Sequence, residues 1–354
     1  MAKKKNEDRN DIIKDIQEKF KGQNIKIGFM SEDESLGKIE RFSTGNVALD
    51  VLTDGGLIKG RVNEIYGAEG CGKSTLLLDI IAHNQKLNDS FISAIINNEK
   101  TLDREYALSK KIDLSRLMCI EPETLEQSGD LCNLISKSDA GVHLVGFDTI
   151  QAIAPEAELT DSKGKDKSVG DKTIALLGRV YSQFFRMYTS RSIGEMTLIL
   201  LSQVRTDLSL AHMGIALQRP TGGNAIKHYN MFCIELSRKS WDKSPAKCPP
   251  KSFLVKMKLI KCKVLSRYEG NSIIAYFYKG SFDRKMNIIG IARDLKIIKK
   301  DKIKIDEYED TFEDLEDLYN KIPEETVNKL EKMLRSEYTN QITIFEGEEN
   351  GQES

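Results

Sequence analysis

Residues 67–75, with the sequence GAEGCGKST, decide the fold of this chain. They follow a short apolar strand candidate at 61–67 and run into residues 73–87, which have helical periodicity and contain neither Pro nor Gly. A glycine-rich turn that ends in lysine and hydroxyl residues, between a strand and a helix, is typical of a phosphate-binding loop. The sequence therefore predicts a nucleotide site here, and we call residues 67–75 the phosphate loop.

The pattern G-x-x-x-x-G-K-[ST] gives several residues of the phosphate loop a chemical task. Its glycines let backbone N–H groups turn toward the phosphates, and the N-terminus of the next helix adds a positive dipole end. We expect Lys73 to reach the β- and γ-phosphates and Ser74 to bind Mg²⁺. The alternative is a plain glycine turn with an exposed lysine. The residues expected to contact the nucleotide are Gly67, Ala68, Glu69, Gly70, Cys71, Gly72, Lys73, Ser74 and Thr75.

Three further apolar strand candidates end in polar residues. They cover residues 90–99, 142–148 and 196–203, and their last residues are Glu99, Asp148 and Gln203. Asp148 is the expected Mg²⁺ ligand beside Ser74. Glu99 can polarise the water that attacks the γ-phosphate, and Gln203 can sense that phosphate through its amide. The alternative for each is a solvated polar residue at a strand end.

The strands alternate with helices, which indicates an α/β fold with a mainly parallel sheet covered on both faces. Residues 5–22 predict an amphipathic N-terminal helix, whose apolar stripe must pack on its own core or on a neighbouring subunit. After about residue 280 the pattern changes to two short helices of a small C-terminal domain, followed by a polar, acidic tail.

Composition bounds the compartment and the partners. The chain has no run of about 18 apolar residues, so we expect no membrane partner. Its N-terminus lacks the apolar segment of a secretory signal, and its six cysteines form no zinc or redox motif, so the expected location is the cytoplasm. Residues 305–354 contain 16 acidic and 4 basic side chains, whereas the rest is net positive. This asymmetry suggests a polyanionic partner, although two solvated faces are an equal alternative.

Basic residues follow the strand ends. Three of these residues, Lys163, Lys165 and Lys167, lie in a Lys-, Gly- and Asp-rich stretch that indicates a mobile loop. Arg179 and Arg186 are seven residues apart on one predicted helix and therefore share a face. Cations on one side of the sheet favour a phosphodiester backbone as the partner, with ordinary solvated charge as the alternative. The residues are Lys163, Lys165, Lys167, Arg179, Arg186 and Arg205.

Several motifs together resemble one family. They are STGNVALDVLTDGGLIKGRVNEIYGAEGCGKSTL at 43–76, NNEKTLDREYALSKKIDLSRLMCIEPETLEQ at 97–127, GFDTIQAIAPEAEL at 146–159, and LSQVR with PTGGNAIKHY within 201–229. In this order they resemble the bacterial-type RecA recombinases and their phage-borne relatives over about residues 38–280. The resemblance implies a RecA-like P-loop ATPase core with a mainly parallel sheet, an N-terminal helix and a small α/β C-terminal domain. The implied divisions are an N-terminal oligomerisation helix and linker at 1–37, the core at 38–280, the C-terminal domain at 281–340 and an acidic disordered tail at 341–354.

The resemblance also implies roles for single residues. Glu99 matches the family's water-activating glutamate, and Gln203 matches the residue that couples the γ-phosphate to DNA; with Lys73 they are the candidate catalytic residues. The implied nucleotide contacts outside the phosphate loop are Asp103 and Tyr106 at the adenine, and Lys261 and Lys263 at the ATP of the neighbouring subunit.

By the same resemblance, segments at about 159–171 and 204–224 line single-stranded DNA. With ATP and Mg²⁺ bound, the chain would form a helical filament on that strand and exchange it with homologous duplex DNA, in recombination, repair and the SOS response to DNA damage. Recombination mediators and single-strand-binding proteins are implied as further partners. The implied DNA contacts are Arg179, Arg186, Arg205, Gly222, Gly223 and Asn224.

The chain departs from the family pattern at a few positions. Cys71 stands where a small hydroxyl residue is usual, and Asn97 and Asn98 replace the usual acidic and small residues before Glu99. His228 replaces an aromatic residue that packs between subunits. Asp207 stands where a basic residue is common in the second DNA segment, so we expect DNA affinity and cooperativity to differ from the bacterial norm. These departures are Cys71, Asn97, Asn98, Asp207 and His228.

Three other functions share the same core motifs. A ring-forming ATPase, such as a helicase or a regulator, would assemble as closed hexamers rather than open filaments. A small-molecule kinase would use a second substrate without responding to DNA. A DNA-binding mediator would bind the strand but hydrolyse little ATP.

Overall fold

A computed structural model describes residues 2–21, 27–31, 39–138, 140–160, 165, 167, 176–191, 196–207, 217–220, 223–241, 249–264, 269–299 and 301–338. For residues 2–10, 191, 205–207, 217–220, 223–225, 337 and 338 it describes the backbone only. The chain divides into two compact units, Met1–Glu40 and Arg41–Ser354.

The first unit contains helix α1, Ala2–Lys19, close to the predicted N-terminal helix at 5–22. Ile12 is 58% exposed, and Phe20, just beyond the helix, is 37% exposed. The predicted oligomerisation role of this helix stays a prediction. None of the helices in the described part of the chain is long and apolar enough to cross a bilayer.

The second unit is built on short strands. Within the described residues they are β1 (Arg41–Phe42), β2 (Leu57–Ile58), β3 (Val62–Gly67), β4 (Ile92–Asn97), β5 (Leu117–Ile120), β6 (Val142–Asp148), β7 (Thr197–Asp207), β8 (Leu217–Pro220), β9 (Asn230–Lys239), β10 (Phe253–Cys262), β11 (Ser272–Phe277), β12 (Lys302–Ile305) and β13 (Tyr308–Thr311).

Helices connect these strands. They are α2 (Val47–Leu52), α3 (Lys73–Leu87), α4 (Arg104–Ser109), α5 (Leu125–Ile135), α6 (Glu156–Leu159), α7 (Leu176–Arg191), α8 (Gly223–Tyr229), α9 (Arg284–Asp294), α10 (Leu315–Lys321) and α11 (Glu324–Tyr338), with a 3-10 helix at Leu114–Arg116. Several begin at side chains that accept a backbone N–H of the first turn, such as Asp103 before α4, Thr124 before α5 and Asp283 before α9.

One large sheet carries the strand order β11-β10-β9-β3-β7-β6-β4-β5, and β8 pairs with β7 outside that path. All neighbours from β9 to β5 are parallel, whereas β10 and β11 are antiparallel. The predicted α/β fold with a mainly parallel sheet is therefore confirmed. Gly67 lies opposite Gln203 and Asn97 lies opposite Asp148, so the carboxyl ends of β3, β4, β6 and β7 meet at one edge.

Hydrophobic clusters cover both faces of this sheet. Along β4, Ile95 belongs to one cluster whereas Ala94 and Ile96 belong to the other, because successive strand residues point to opposite faces. Helix α3 packs in the first cluster, and the aromatic face of α7 packs in the second. The aromatic residues of that face are Tyr181, Phe184, Phe185 and Tyr188.

The elements after residue 281 pack on the first cluster. The two predicted helices are present as α10 and α11, and α9 and the β12–β13 hairpin add to them. Arg335 of α11 donates to Asp50 of α2 at 2.7 Å, and Asp50 is only 1% exposed. The Asp50 carboxylate also accepts the backbone N–H of Thr44 at 2.7 Å. A charged pair thus ties the last described helix to the core; the boundary predicted at residue 281 stays a prediction.

Two predicted strand ends are wrong. The strand predicted to end in Glu99 ends at Asn97, because the chain turns there and Glu99 lies beyond β4. The strand predicted to end in Gln203 continues to Asp207, because residues 204–207 pair with 217–220 as an antiparallel ribbon of β7 and β8. Part of the segment at about 204–224, which the resemblance implies as the second DNA segment, is therefore extended ribbon, in which Pro220 occupies an edge strand.

Candidate functional site

The phosphate loop begins where β3 meets β9. A Cβ added at Gly67 would lie 2.3 Å from the Leu236 carbonyl oxygen, so no larger residue fits at that position. Gly70 and Gly72 have φ of +70° and +94°, in the left-handed region that favours glycine. Helix α3 starts directly after Gly72. The loop therefore has the strand–turn–helix geometry that the sequence predicts.

Lys73 and Ser74 lie at the first turn of α3. The Lys73 side chain is buried, and its Nζ donates to the carbonyl oxygens of Gly67 at 2.9 Å and Ala68 at 2.8 Å. Those two bonds hold the ammonium inside the phosphate loop, where phosphate oxygens could replace the carbonyls. Ser74 is exposed and is hydrogen-bonded to the Asp148 carboxylate.

Asp148 ends β6 with 8% exposure. Its Oδ1 atom is buried and has no hydrogen-bond partner among the described residues. Burial raises the pKa of the Asp148 carboxyl, the bond from Ser74 lowers it, and the nearby charge of Glu99 raises it. A buried carboxylate oxygen without a donor costs free energy unless a ligand satisfies it. The oxygens of Ser74 and Asp148 therefore fit a hard cation such as Mg²⁺.

Glu99 is half-buried in the turn after β4. Its Oε1 atom accepts two hydrogen bonds, from Thr149 Oγ1 at 2.6 Å and from Gln203 Nε2 at 3.0 Å. Its backbone N–H donates to the Asp148 carbonyl oxygen at 3.1 Å. The sheet thus brings the three predicted strand-end residues together, although two of them do not end their strands.

The turn before Glu99 is held by the two asparagines that the sequence singles out. Asn97 donates to Glu121 Oε1 at 2.9 Å and accepts the backbone N–H of Thr101 at 3.2 Å. Asn98 donates to the Thr149 carbonyl oxygen at 2.9 Å. Sequence reasoning gave Thr149 no role and treated Asn98 only as a departure; the one available hint was a polar residue directly beside each predicted carboxylate.

Comparison with known proteins decides the family. A family model described as the RecA N-terminal domain matches residues 8–281. This chain belongs to the RecA family. It is similar to the proteins named "Protein RecA" from Helicobacter pylori strains G27 and ATCC 700392 / 26695 and from Helicobacter acinonychis strain Sheeba, with 36% identity over 230 residues in each case. The matched region covers 64% of this chain and 62% of each relative, so it spans less than two thirds of the relatives' length. The resemblance to RecA proteins is confirmed.

Of the two residues that the RecA resemblance implies at the adenine, Tyr106 is tied to the phosphate loop. Its hydroxyl lies 2.7 Å from Thr75 Oγ1. It also borders a cleft of about 960 Å³ with Lys110, whose Nζ lies 3.2 Å from a carboxylate oxygen of Asp79. Asp103 is exposed and accepts the backbone N–H of Glu105 at 2.8 Å as the cap of α4. The structure thus joins Tyr106 to the phosphate loop, whereas Asp103 lies three residues before Tyr106, exposed at the start of the same helix.

Cys71, the departure inside the RecA phosphate loop, faces the core. It is fully buried in the hydrophobic cluster of α3, and burial raises the pKa of its thiol. Only its backbone is available for a phosphate contact. The thiol therefore acts as a small apolar residue.

Lys261 and Lys263 lie away from the phosphate loop of their own chain. Strand β10 runs antiparallel to β9. Lys261 of β10 and Glu64 of β3 are both paired with the same residue of β9, so they lie level with each other across the sheet. Glu64 precedes Gly67 by three residues, which is roughly 10 Å along a strand. The two lysines therefore lie toward the amino edge of the parallel strands, at the opposite end from the phosphate loop.

Both lysines contact the end of α8. Lys261 Nζ donates to the Lys227 carbonyl oxygen and Lys263 Nζ to that of His228. These carbonyls belong to the last turn of α8, where helix dipoles favour cations. Lys261 Nζ also lies 3.3 Å from Asn230 Oδ1. Burial and the nearby charge of Lys263 lower the pKa of Lys261.

Asn230 belongs to a second polar group, which we call the Glu64 cluster. Glu64 is 1% exposed and accepts hydrogen bonds from Ser202 at 2.9 Å, Asn230 at 2.7 Å and Cys233 at 3.4 Å. Burial raises the pKa of its carboxyl, while these bonds lower it. Sequence reasoning missed this cluster because Glu64 and its three partners lie on three strands that are far apart in the sequence.

The predicted DNA contacts are only partly described. Arg179 and Arg186 are exposed on α7, with Arg186 Nε 3.3 Å from the Ser182 carbonyl oxygen. Lys167 donates to the Ala157 carbonyl oxygen at 2.7 Å. The side chains of Arg205 and Asn224, the surroundings of Gly223, Lys163 and the whole of Gly222 lie outside the described residues. We call the group of Lys73, Ser74, Glu99, Asp148 and Gln203 the hydrolytic site, after the activity expected there, and Arg179 and Arg186 lie on α7 outside this group.

Proposed function

We propose that this chain is a DNA-dependent ATPase that forms helical filaments on single-stranded DNA and promotes homologous pairing and strand exchange. Membership of the RecA family supports this proposal, as do relatives named "Protein RecA". Recombination and DNA repair, with ATP and Mg²⁺ as ligands, follow as the proposed setting. A cytoplasmic location and partners such as recombination mediators and single-strand-binding proteins belong to the same proposal.

The observation that carries the proposal is the hydrogen bond from Gln203 to Glu99. Glu99 belongs to the hydrolytic site, whereas Gln203 lies on β7 directly before the ribbon with β8. That ribbon falls in the segment proposed to line DNA. A bound γ-phosphate that attracts the Gln203 amide would alter both Glu99 and the start of the ribbon. One hydrogen bond thus provides a physical link between nucleotide state and DNA contact.

We propose the following tasks at the nucleotide. The Lys73 ammonium would exchange its carbonyl partners for phosphate oxygens and stabilise the negative charge of the transition state. Ser74 and Asp148 would hold Mg²⁺, which supplies neutralising charge at the phosphates when bound. Glu99 would orient the attacking water and accept its proton. Tyr106 and Asp103 would flank the base.

The positions of Lys261 and Lys263 favour an assembly of subunits. They lie toward the sheet edge opposite their own phosphate loop, so we propose that they reach the ATP of an adjacent subunit. They would have to leave the α8 carbonyls to do so. Since α8 begins within the end of the second proposed DNA segment, assembly and DNA contact would then share one element.

ATP turnover with and without single-stranded DNA tests the proposed function. We expect DNA to stimulate turnover and Glu99→Gln to reduce it strongly, about 100-fold. Electron microscopy with ATP and DNA should show open helical filaments, and a joint-molecule assay should show strand exchange. Discrete hexameric rings would instead support the ring-forming ATPase, and DNA binding with no stimulated turnover would support a mediator. Turnover at the parental rate in Glu99→Gln would refute the role of Glu99.

A further inference from the structure

Two buried polar residues beside Glu99 have no task in the function proposed above. Asn98 precedes Glu99 and is 6% exposed, and Thr149 follows Asp148 and is 2% exposed. Burying a polar side chain costs free energy unless hydrogen bonds replace water. The partners of these two side chains therefore show what they hold in place.

Asn98 links helix α5 to the backbone of Thr149. Its Nδ2 donates to the Thr149 carbonyl oxygen at 2.9 Å, and its Oδ1 lies 3.3 Å from the Ser128 hydroxyl. Ser128 lies on α5 and is fully buried, with its Oγ also 3.3 Å from the Thr124 carbonyl oxygen. The position of the Thr149 peptide is therefore set from inside the protein.

Thr149 in turn holds the Glu99 carboxylate. Its Oγ1 donates to Glu99 Oε1 at 2.6 Å, and Gln203 Nε2 donates to the same oxygen at 3.0 Å. No described residue donates a hydrogen bond to Glu99 Oε2. One carboxylate oxygen is thus held by two donors, and the other remains available to accept a proton.

We propose that Asn98 and Thr149 are positioning residues for hydrolysis. Asn98 fixes the Thr149 peptide, and the Thr149 hydroxyl fixes Glu99 so that Oε2 faces the attacking water. The inference rests on the proposed function, because it requires Glu99 to be the group that orients that water. Supporting bonds of this kind cost rate when removed, since the reacting group loses its fixed geometry.

Substitutions at Thr149 in the full chain give the first test. Thr149→Val keeps the shape and removes the hydroxyl, whereas Thr149→Ser keeps the hydroxyl. At saturating single-stranded DNA, we expect Thr149→Val to lower kcat about 10-fold with the KM for ATP changed less than about 2-fold. We expect Thr149→Ser to stay within about 3-fold of the parental kcat. Equal kcat values for Thr149→Val and the parent would overturn the proposal.

A double-substitution cycle tests whether Asn98 acts through Thr149. Asn98→Ala should lower kcat about 5-fold in the parent and should lower it no further in the Thr149→Val background, because the hydroxyl it positions is already gone. Full additivity of the two effects would overturn the link. The matched control is Asn133→Ala, another buried asparagine, on α5, whose Oδ1 has no hydrogen-bond partner among the described residues; this variant should keep the parental kcat.

The outcomes separate this inference from the proposed function. A parent without DNA-stimulated turnover, or a Glu99→Gln variant at the parental rate, would overturn both. Normal parental turnover that is lost in Glu99→Gln but unchanged in Thr149→Val would overturn only the positioning roles. A drop in kcat for Asn133→Ala equal to that for Asn98→Ala would also overturn them, because it would show a general response to lost packing.

Discussion

The hydrolytic site and the Glu64 cluster place buried carboxylates on the same sheet, but they satisfy them differently. Glu64 accepts hydrogen bonds from Ser202, Asn230 and Cys233. Asp148 has a bond from Ser74, while its Oδ1 has no partner among the described residues. Burial raises the pKa of both carboxyls. The chain thus supplies the hydrogen-bond donors of Glu64, whereas one carboxylate oxygen of Asp148 is left for a ligand.

This difference separates stability from function. A buried polar group whose partners come from the chain contributes to the folded state, and its removal leaves those partners unsatisfied. A buried group without a partner carries a desolvation cost that a ligand can offset. We therefore expect changes in the Glu64 cluster to act on unfolding and changes at the hydrolytic site to act on turnover.

The largest expected effect is at Lys73. Lys73→Ala removes the ammonium that would face the phosphates, so we expect DNA-stimulated ATP turnover to fall about 100-fold or more. Lys86→Ala, an exposed lysine on the same helix, is the matched control and should keep the parental rate. A rate for Lys73→Ala within about 3-fold of the parent would place the hydrolytic site elsewhere.

Glu64→Ala should act on stability instead. It leaves the buried Ser202 and Asn230 donors without their acceptor, which we expect to lower the free energy of unfolding by about 2–3 kcal/mol. Urea unfolding followed by circular dichroism measures this change. An unfolding free energy within about 0.5 kcal/mol of the parent would show that the cluster is not a stabilising network.

Asp148→Asn should show the opposite pattern. It removes a buried charge whose Oδ1 has no donor, so the unfolding free energy should stay within about 1 kcal/mol of the parent or rise. ATP turnover should nevertheless fall, because the carboxylate proposed to hold Mg²⁺ is lost. The same urea experiment, beside a turnover assay, measures both. A stability loss as large as that of Glu64→Ala would erase the contrast between the two regions.

The smallest expected effect is a pH dependence in the Glu64 cluster. Burial raises the native pKa of Glu64 above its ordinary value of 4.5, so the native state holds this proton more tightly than the unfolded state. The contribution of Glu64 to stability is therefore largest below pH 4.5 and decreases as the pH rises from there toward the native pKa. Glu64→Gln does not titrate, so its unfolding free energy relative to the parent should increase over that range. Urea unfolding at several pH values measures this, and a pH-independent difference would contradict it.

The sequence predicts the central strands well and the supporting contacts poorly. The run Val142–Asp148 is apolar and ends in a carboxylate, so both the strand and its polar end follow from the pattern. The strand β5 and the helix α9 were not predicted. Residues of β5 are half-buried or exposed, so no continuous apolar run marks this edge strand. The predicted ends of two strands, at Glu99 and Gln203, were also wrong, because the apolar pattern does not fix the position at which a strand ends.

The positioning contacts could not be predicted because they depend on register. Asn97 of β4 lies opposite Asp148 of β6, and this pairing puts Asn98 and Glu99 beside Thr149. The two segments are about 50 residues apart in the chain, and the pattern of apolar residues fixes which face a side chain takes but not its partner on the next strand. A motif thus predicts which residues carry the chemistry, whereas the pairing of the strands decides which other residues position those side chains.

The pair of Arg335 and Asp50 limits where this chain can be shortened. A chain that ends at residue 338 removes the last part of the acidic segment and keeps the guanidinium 2.7 Å from the Asp50 carboxylate. A chain that ends at residue 334 leaves that carboxylate, 1% exposed in the full chain, without its cation. Tail deletions that test the influence of the acidic tail on DNA binding should therefore stop after Tyr338, so that a change in DNA binding is not confused with a loss of core stability.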